Sequence, residues 1–247
     1  MQNEKKENHK IVGIHQPDFI PWAGFFYKYL KSDVFVILDD VRMSAGASDW
    51  TNRTAVRLLD KKKWLTVPIL SNEKRIFKIC DLRYFEKELA VHEILRKVSN
   101  YYQFSNHFLE NLFFVNGILQ KEEIGICKFN LQIIESLIDY LNLPRKEIIL
   151  SSSLNTCGSG TNKLANIVEK VGGTIYLSGI GGLNYLDQDV FREKKIKLSF
   201  SKFNQKPYFQ KKNSNFLPGL SILDMIFEIG RNETSAYLTS MVTDLNE

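Results

Sequence analysis

The order of apolar segments in residues 11–38 constrains the fold of this chain more than any other feature. Residues 11–15 form an apolar run typical of a β-strand, which Pro17 ends. Aromatic residues follow at helical spacing, and Pro21 stands where a helix can begin, because its missing N–H needs no partner in the first turn. Residues 34–38 form a second apolar strand. Strand, helix and strand in such short succession predict a βαβ unit with parallel strands and a right-handed crossover.

The rest of the chain continues the alternation of strands and helices. A helix is predicted at 162–171, and a C-terminal helix is predicted to begin at Ser221 and to end near Gly230. Because the predicted strands are almost wholly apolar, both faces of their sheet should be buried, which favours an α/β fold with a mostly parallel sheet. These later strands lie at 147–150, 174–178 and 196–203, with further candidates at 64–69 and 77–82.

Residues 84–143 follow a different pattern, in which apolar residues recur at helical spacing without intervening strands. We predict that this segment is a helical block added to the α/β fold. No flexible linker or internal repeat separates it from the rest of the chain. We therefore expect a single domain over residues 11–247, preceded by a polar, disordered tail at 1–10.

The composition is that of a globular protein, since 44% of the 247 residues are apolar and 12% are aromatic. No uncharged apolar stretch approaches the roughly 20 residues that a membrane span needs, and the polar N-terminus has no signal-like apolar region. Three scattered cysteines indicate free thiols in a reducing compartment rather than a disulfide framework or a zinc site. The sequence thus predicts a cytoplasmic protein without a bound metal.

The net charge of +5 would suit the phosphates of a small molecule or an acidic carrier protein. However, 28 acidic residues are interspersed with the basic ones, and no nucleic-acid-binding motif is present. We therefore do not expect nucleic acid as a partner.

The first strand–helix junction carries the densest set of candidate functional residues. In parallel sheets ligands bind beyond the carboxyl ends of the strands, where His15 and Gln16 fall, and the N-terminus of the following helix favours negative charge. His15 could act as a general base or orient a phosphate, or its ring could instead be satisfied by backbone groups. Trp22 is a candidate ligand contact at the start of that helix, although a core position is the simpler interpretation.

Polar residues also follow the second predicted strand. Asp39 and Asp40 could deprotonate an amine, bind ribose hydroxyls or hold a metal, and alternatively they could cap a turn. Shortly after them, Asp49, Asn52 and Arg53 surround an aromatic residue in a polar segment that suits a small ligand, and the guanidinium of Arg53 suits phosphate. A surface turn would have a similar composition.

A glycine-rich segment follows the strand predicted at 174–178. Its glycines would allow a ligand to approach the backbone, or expose N–H groups to an anion, while a serine, a tyrosine and an aspartate add polar side chains. By contrast, the small-residue loop at 155–163 does not match a P-loop, and Asp224 with Ser221 is most simply a helix cap. The candidate residues of the glycine-rich segment are Ser178, Gly179, Gly181, Gly182, Tyr185 and Asp187.

Taken together, these segments resemble the WbqC-like protein family. The resemblance covers most of the chain, from about residue 11 to about residue 230, with its motifs in the same order. It is carried by His15-Gln-Pro-Asp-Phe-Ile-Pro-Trp-Ala-Gly24, by 33–41 with its two aspartates, by Trp50-Thr-Asn-Arg53, and by the segments 64–69, 176–187 and 220–224.

The resemblance implies a role in the biosynthesis of bacterial O-antigen and other surface polysaccharides. It points to a transferase that acylates or aminoacylates, with a glycine-type donor, the amino group of a nucleotide-linked amino sugar. The donor could be an acyl thioester of coenzyme A or of an acidic acyl carrier protein.

The fold implied is Rossmann-like and similar to that of nucleotidyltransferases. Nucleotidyl transfer is therefore an alternative function, although the HxGH signature of those enzymes is missing here. Non-catalytic binding of a nucleotide sugar is a third possible function.

If the sheet is parallel, the candidate residues meet at one edge of it although they are distant in sequence. We expect a single pocket, whose mouth the helical block 84–143 would partly cover. The predicted lining consists of His15, Asp39 or Asp40, Arg53, Ser178, Gly179 and Tyr185.

Overall fold

The structure is a computed structural model, and it describes residues 9–43, 49–58, 61–70, 72–210 and 215–243. Within these ranges the chain forms two compact units. The first, which we call the sheet unit, contains residues up to 15 together with 28–38 and 146–202. The second, the helical unit, contains 16–27, 39–145 and the chain from 203 onward. Most of the tail expected at 1–10 lies outside the described residues, and the assignment of 11–247 to one domain stays a prediction.

The strands and helices alternate along much of the chain. In chain order the strands are β1 (Ile11–His15), β2 (Val34–Ile37), β3 (Arg53–Leu58), β4 (Lys61–Thr66), β5 (Glu147–Leu150), β6 (Ile175–Ser178) and β7 (Lys197–Phe200). The α-helices are α1 (Ala23–Lys31), α2 (Glu73–Ile76), α3 (Lys87–Tyr102), α4 (Phe108–Leu119), α5 (Ile126–Tyr140), α6 (Gly160–Lys170), α7 (Gln188–Glu193), α8 (Ile222–Glu228) and α9 (Gly230–Thr243).

The sheet unit is built on one sheet of five parallel strands in the order β5-β2-β1-β6-β7. Counted along the chain, these are the third, second, first, fourth and fifth strands of the sheet. This is the order of a Rossmann-like fold, in which the direction of winding reverses between the first and fourth strands. The predicted α/β class and parallel sheet are confirmed, and the reversal falls between β1 and β6.

The core of the sheet unit explains why its strands are so apolar. Val12 and Val36 on the strands belong to one buried cluster with Ile167 and Val168 of α6. Phe191 of α7 is fully buried, and its ring stacks on Tyr176 of β6 with centroids 5.3 Å apart. A sheet that is covered in this way leaves its strand ends as the places where polar side chains can reach a ligand.

The helical unit contains the helices α3, α4 and α5, which confirms the helical block predicted at 84–143. Its two strands form an antiparallel hairpin, β3–β4, in which Arg53 pairs with Thr66 and Leu58 with Lys61. The sequence does not predict β3. The strand predicted at 64–69 corresponds to β4, which begins earlier, at Lys61, opposite the end of β3. The C-terminal helix predicted from Ser221 ends at Glu228, close to Gly230, and Gly230, with a φ of +81°, begins a further helix, α9.

The prediction of a strand at 77–82 is wrong. Ile79–Asp81 forms a 3-10 turn, which the hydrogen bond from the N–H of Leu82 to the carbonyl of Ile79 closes. The apolar residues of this segment bury themselves through the turn, since Ile79 and Leu82 are both fully buried.

Candidate active site

His15 is the last residue of β1 and lies at the carboxyl edge of the parallel sheet. Its backbone carbonyl accepts a hydrogen bond from the N–H of Leu38 at 2.7 Å, which ties it to the end of β2. On the other side, Gly13 is in register with Leu177 of β6. His15 and Gly179 therefore follow this last register pair at the carboxyl ends of two adjacent parallel strands. Both residues flank the place where the winding of the sheet reverses, which is where ligands of open α/β sheets bind.

The glycine-rich segment after β6 turns away from the sheet in a 3-10 turn over Ile180–Asn184. The N–H of Gly182 donates to the carbonyl of Gly179 at 2.9 Å, and the hydroxyl of the buried Ser178 donates to the same carbonyl at 3.1 Å. Ser178 and Gly182 thus shape the turn. A Cβ on Gly182 would also lie 2.2 Å from the Ser178 hydroxyl, so packing alone requires glycine there.

Gly179 and Gly181 differ from Gly182, because, apart from residues nearby in the sequence, no atom of the described chain lies within 4 Å of a Cβ built on either of them. The packing of the sheet unit therefore gives no reason for glycine at these two positions. Neither has a positive φ that would require glycine. The open space above them leaves room for a ligand to contact the backbone at the edge of the sheet.

Tyr185 and Asp187 follow this turn. Tyr185 is 69% exposed, so its ring and hydroxyl are accessible. Asp187 is the N-cap of α7, where its Oδ1 accepts a hydrogen bond from the N–H of Asp189 at 3.0 Å. This cap satisfies an N–H group at the start of a helix, which gives Asp187 a structural function independent of any ligand.

The two aspartates after β2 belong to the helical unit and differ in accessibility. Asp39 is only 1% exposed, and the thiol of Cys127 donates to its Oδ2 at 3.8 Å. Burial raises the pKa of the Cys127 thiol, and the Asp39 carboxylate raises it further, so this thiol stays protonated. Asp40 is half-buried and is the more accessible carboxylate of the two.

Gln16 and Trp22 lie at the beginning of the helical unit. The Gln16 side chain donates to the carbonyl of Arg42 at 3.2 Å. The Trp22 ring meets Phe203 edge to face at a centroid distance of 5.4 Å, and Trp22 pairs with Ser221 through an isolated β-bridge. A Cβ on Gly24 would lie 2.4 Å from the Trp22 ring, so the ring packs directly over the helix backbone. Packing thus accounts for Trp22.

The polar segment around Arg53 is held by hydrogen bonds to the backbone. The Nε of Arg53 donates to the carbonyl of Asp49 at 2.8 Å, and the Asp49 Oδ1 accepts from the N–H of Thr51 at 2.9 Å. The Arg53 guanidinium lies 4.3 Å from the centroid of the Trp64 ring, a cation–π contact that orients it. Asn52 is buried and its amide donates to the carbonyl of Val67 at 2.8 Å, so it joins β3 to the segment after β4.

The structure also shows a buried carboxylate that sequence reasoning interpreted only as part of a helix cap. Ser221 is indeed the N-cap of α8, since its Oγ accepts from the N–H of Leu223. Asp224 has a different environment: it is fully buried, and it accepts hydrogen bonds from the hydroxyls of Tyr102 at 3.0 Å and Tyr208 at 2.6 Å. Desolvation raises the pKa of Asp224, while the hydrogen bonds oppose this rise. Its burial within the helical unit keeps it from contact with a substrate.

The sequence-predicted site residues thus fall into two groups, one in each unit, and the single pocket expected from the sequence stays a prediction. The sheet unit brings His15 together with the glycine-rich turn. Within the described ranges, no cluster of three or more histidine, cysteine, aspartate or glutamate side chains could hold a metal ion. No helix in the described part of the chain is long and apolar enough to cross a membrane.

Comparison with known proteins assigns the family. A family model matches residues 16–236, which include the aspartates after β2, the β3–β4 hairpin and the glycine-rich turn. The chain belongs to the WbqC-like protein family. It is also 26% identical over 222 residues to an uncharacterized protein of Mycobacterium tuberculosis (strain ATCC 25618 / H37Rv), Rv1507c, an alignment that covers 90% of this chain and 94% of that protein. No solved structure matches this WbqC-like protein.

Proposed function

We propose that this WbqC-like protein is a transferase that acylates or aminoacylates the amino group of a nucleotide-linked amino sugar. The single observation that carries the proposal is the strand order of the sheet unit. The winding reverses between β1 and β6, the strands that His15 and the glycine-rich turn follow, and Rossmann-like sheets bind nucleotides at such a reversal, which supports the proposal. The general association of WbqC-like proteins with O-antigen and surface polysaccharides favours an amino sugar as the group that the nucleotide carries.

The proposed reaction needs a base and a polarised carbonyl. The sugar amine must lose a proton to form the amide, and His15 at the end of β1 is our candidate for the group that removes it. The amine attacks the acyl carbonyl, a C–N bond forms, and the C–S bond of a thioester donor breaks. His15 then returns the proton to the departing thiolate, which leaves as a thiol. We propose that backbone N–H groups between Gly179 and Gly181 stabilise the oxyanion, because the N–H of Gly182 already donates to the carbonyl of Gly179.

The helical unit offers further groups with suitable chemistry. Arg53 is our candidate for binding phosphate, because its guanidinium is oriented by Trp64 and the Asp49 carbonyl. Asp40 is an alternative base, and its exposure makes it preferable to Asp39. The donor is proposed to be an acyl thioester of coenzyme A or of an acidic carrier protein. The exposed Lys61 and Lys63 of β4 would attract either of these negatively charged donors.

The first test is selective binding. We expect some nucleotide-linked amino sugars, and not the corresponding neutral sugars, to raise the melting temperature, because a ligand that binds the native state stabilises it. Gly179→Leu would fill the open space and should weaken binding at least about tenfold, while the fold is retained. Lys197→Leu, which places the same side chain at the amino end of β7, is the matched control and should bind normally.

The second test separates chemistry from binding. His15→Gln should leave the affinity for the nucleotide sugar nearly unchanged but lower kcat about 10² to 10⁴-fold in an amide-forming assay with acyl thioesters. Binding that is insensitive to Gly179→Leu would contradict the proposed ligand position. Selective binding without turnover for any donor would contradict the transferase and indicate a nucleotide-sugar-binding protein, and pyrophosphate release with a nucleoside triphosphate would indicate nucleotidyl transfer.

A further inference from the structure

Helix α4 is apolar on two opposite sides. Val115, Ile118 and Leu119 on its inner side are buried within the helical unit. On the outer side, however, Leu109 is 79% exposed and Phe113 is 84% exposed. Helices that are apolar all round are usually buried. The outer side of α4 therefore has the character of a surface that another protein covers.

This outer side borders a groove of about 630 Å³ between α4 and α3. The apolar part of its lining comes from Leu95 of α3 and from Leu109, Leu112 and Phe113 of α4. One helical turn before the groove, Leu89 of α3 is 69% exposed and neighbours the groove residue His92. Leu89, Leu109 and Phe113 together expose on the order of 400 Å² of mostly apolar surface, which is within the size range of the largest apolar patches on monomers, and such patches are often functional.

We propose that a second copy of the same chain docks on this face, so that α3 and α4 of two copies pack about a two-fold axis. A two-fold interface requires one patch to be complementary to itself. This face meets that requirement, because Phe113 projects beside a groove that could receive the Phe113 of the other copy. Two helical hairpins that pack in this way form a four-helix arrangement with a continuous apolar core.

The area of the patch agrees with the size of a stable dimer interface. A standard interface buries about 800 Å² on each partner, and somewhat more than half of it is apolar. The roughly 400 Å² exposed on α3 and α4 is close to that apolar share. A short peptide or a single side chain would cover only part of the surface between Leu89 and Leu109.

The charges along the groove also favour a second copy. Arg96 lies in the groove wall, and its guanidinium makes two hydrogen bonds to the carboxylate of Glu93, at 2.7 and 2.8 Å. Lys97 pairs with the same carboxylate at 3.3 Å. Glu93 thus compensates one of these two positive charges within the face, which limits the mutual repulsion of two copies. A highly acidic partner would be attracted less strongly to this face than to the exposed lysines of β4.

The experiment is sedimentation velocity on the full chain over a wide range of concentrations, without any ligand. We expect a reversible dimer in the wild type. Phe113→Glu should raise its dissociation constant at least about 30-fold, because a central aromatic anchor is replaced by a charge in an apolar groove. Leu109→Glu should act in the same direction. Ile180→Glu, which changes an apolar residue of similar exposure in the sheet unit, is the matched control and should leave the dimer unchanged.

Each outcome decides the proposal. A dimer that both α4 substitutions dissociate, with unchanged far-UV circular dichroism, would support it. A wild type that is monomeric at every concentration would overturn it, as would a dimer that persists in folded Phe113→Glu and Leu109→Glu. If Phe113→Glu fails to fold, the result with Leu109→Glu decides alone.

Discussion

The sheet unit and the helical unit use polar side chains in opposite ways. In the sheet unit, apolar strands pack against α6 and α7, and His15 and Tyr185 come after the strands, where they are at least partly accessible. In the helical unit, polar side chains are buried and hydrogen-bonded to one another. The carboxylate of Asp224 accepts from Tyr102 and Tyr208, and the buried Asn130 accepts from Tyr84 and donates to the carbonyls of Pro17 and Thr51.

This difference affects how family motifs should be interpreted. The segment that resembles the family at 176–187 leads to an open turn at the carboxyl edge of a sheet, whereas the segment at 220–224 ends in a buried carboxylate. Both segments resemble the family, but only the first exposes polar side chains such as that of Tyr185. Buried polar groups that are fully hydrogen-bonded specify how elements pack, and they are costly to disrupt. The proposed base and oxyanion-binding groups therefore belong to the sheet unit, whereas the Asp224 cluster specifies packing.

The largest effect that this comparison predicts concerns the apolar core. Phe191→Ala should lower the free energy of unfolding by about 3–5 kcal/mol, because it removes a fully buried ring and leaves a cavity beneath Tyr176. Phe209→Ala is the control in the helical unit, where the ring is largely exposed, and it should cost well under 1 kcal/mol. Urea denaturation measures both. A loss for Phe191→Ala as small as that of the control would show that the sheet unit does not depend on this core.

A smaller effect is predicted for the buried carboxylate. Asp224→Asn should destabilise the protein by about 1–3 kcal/mol, because the amide introduces donors where Tyr102, Tyr208 and Gln210 already donate. The size of this loss should depend on pH. Since burial raises the pKa of Asp224 above its ordinary value, the folded protein binds a proton there more tightly than the unfolded chain does.

The sign of the pH dependence follows from that rise. The stability that this proton contributes is fully present below the ordinary pKa of an aspartate, about 4, and is lost as the pH rises through the folded value. The loss in free energy of unfolding that Asp224→Asn causes should therefore be largest near pH 4 and become smaller toward neutral pH. Phe191→Ala removes no ionisable group, so its difference from the wild type should stay constant. A deficit of Asp224→Asn that grows with pH would contradict a raised pKa.

Much of the sheet unit could be predicted from the sequence, because its signals are local. Each strand is a short apolar run followed by a turn, and the parallel arrangement follows from the helices between the strands. That His15 and the glycine-rich segment follow strands ending at the same edge of the sheet could then be expected from the two strand ends alone. The sequence does not predict the strand at 53–58, because its short run of small and apolar residues is bounded by Arg53 and Arg57. Arg57 is nevertheless buried, and Gln210, 153 residues away, accepts a hydrogen bond from its guanidinium at 2.6 Å.

The same reasoning explains which candidate site residues the sequence could not resolve. Asp39 and Asp40 look equivalent in the sequence, but Asp39 lies against Cys127, which is 88 residues away. Likewise, the amide of Asn52 is engaged by Val67 across the hairpin, and Trp22 packs on Phe203. Nothing near these residues in the chain reveals such partners. Asp224 was underestimated for the same reason, since Tyr102 lies 122 residues before it.

The smallest predicted effect compares one helix cap from each unit. Asp187 caps α7 at an exposed position. Asp187→Ala should lower the free energy of unfolding by about 1 kcal/mol, because water replaces the carboxylate as acceptor for an N–H of the first turn. Ser221 caps α8 where it is fully buried, and its hydroxyl also donates to the carbonyl of Ile20 at 3.1 Å. Ser221→Ala removes both bonds where water cannot replace them, so it should cost about 2 kcal/mol. Equal losses in thermal and urea unfolding would show that the buried polar contacts of the helical unit contribute no more than exposed ones, and would remove the distinction between the two units.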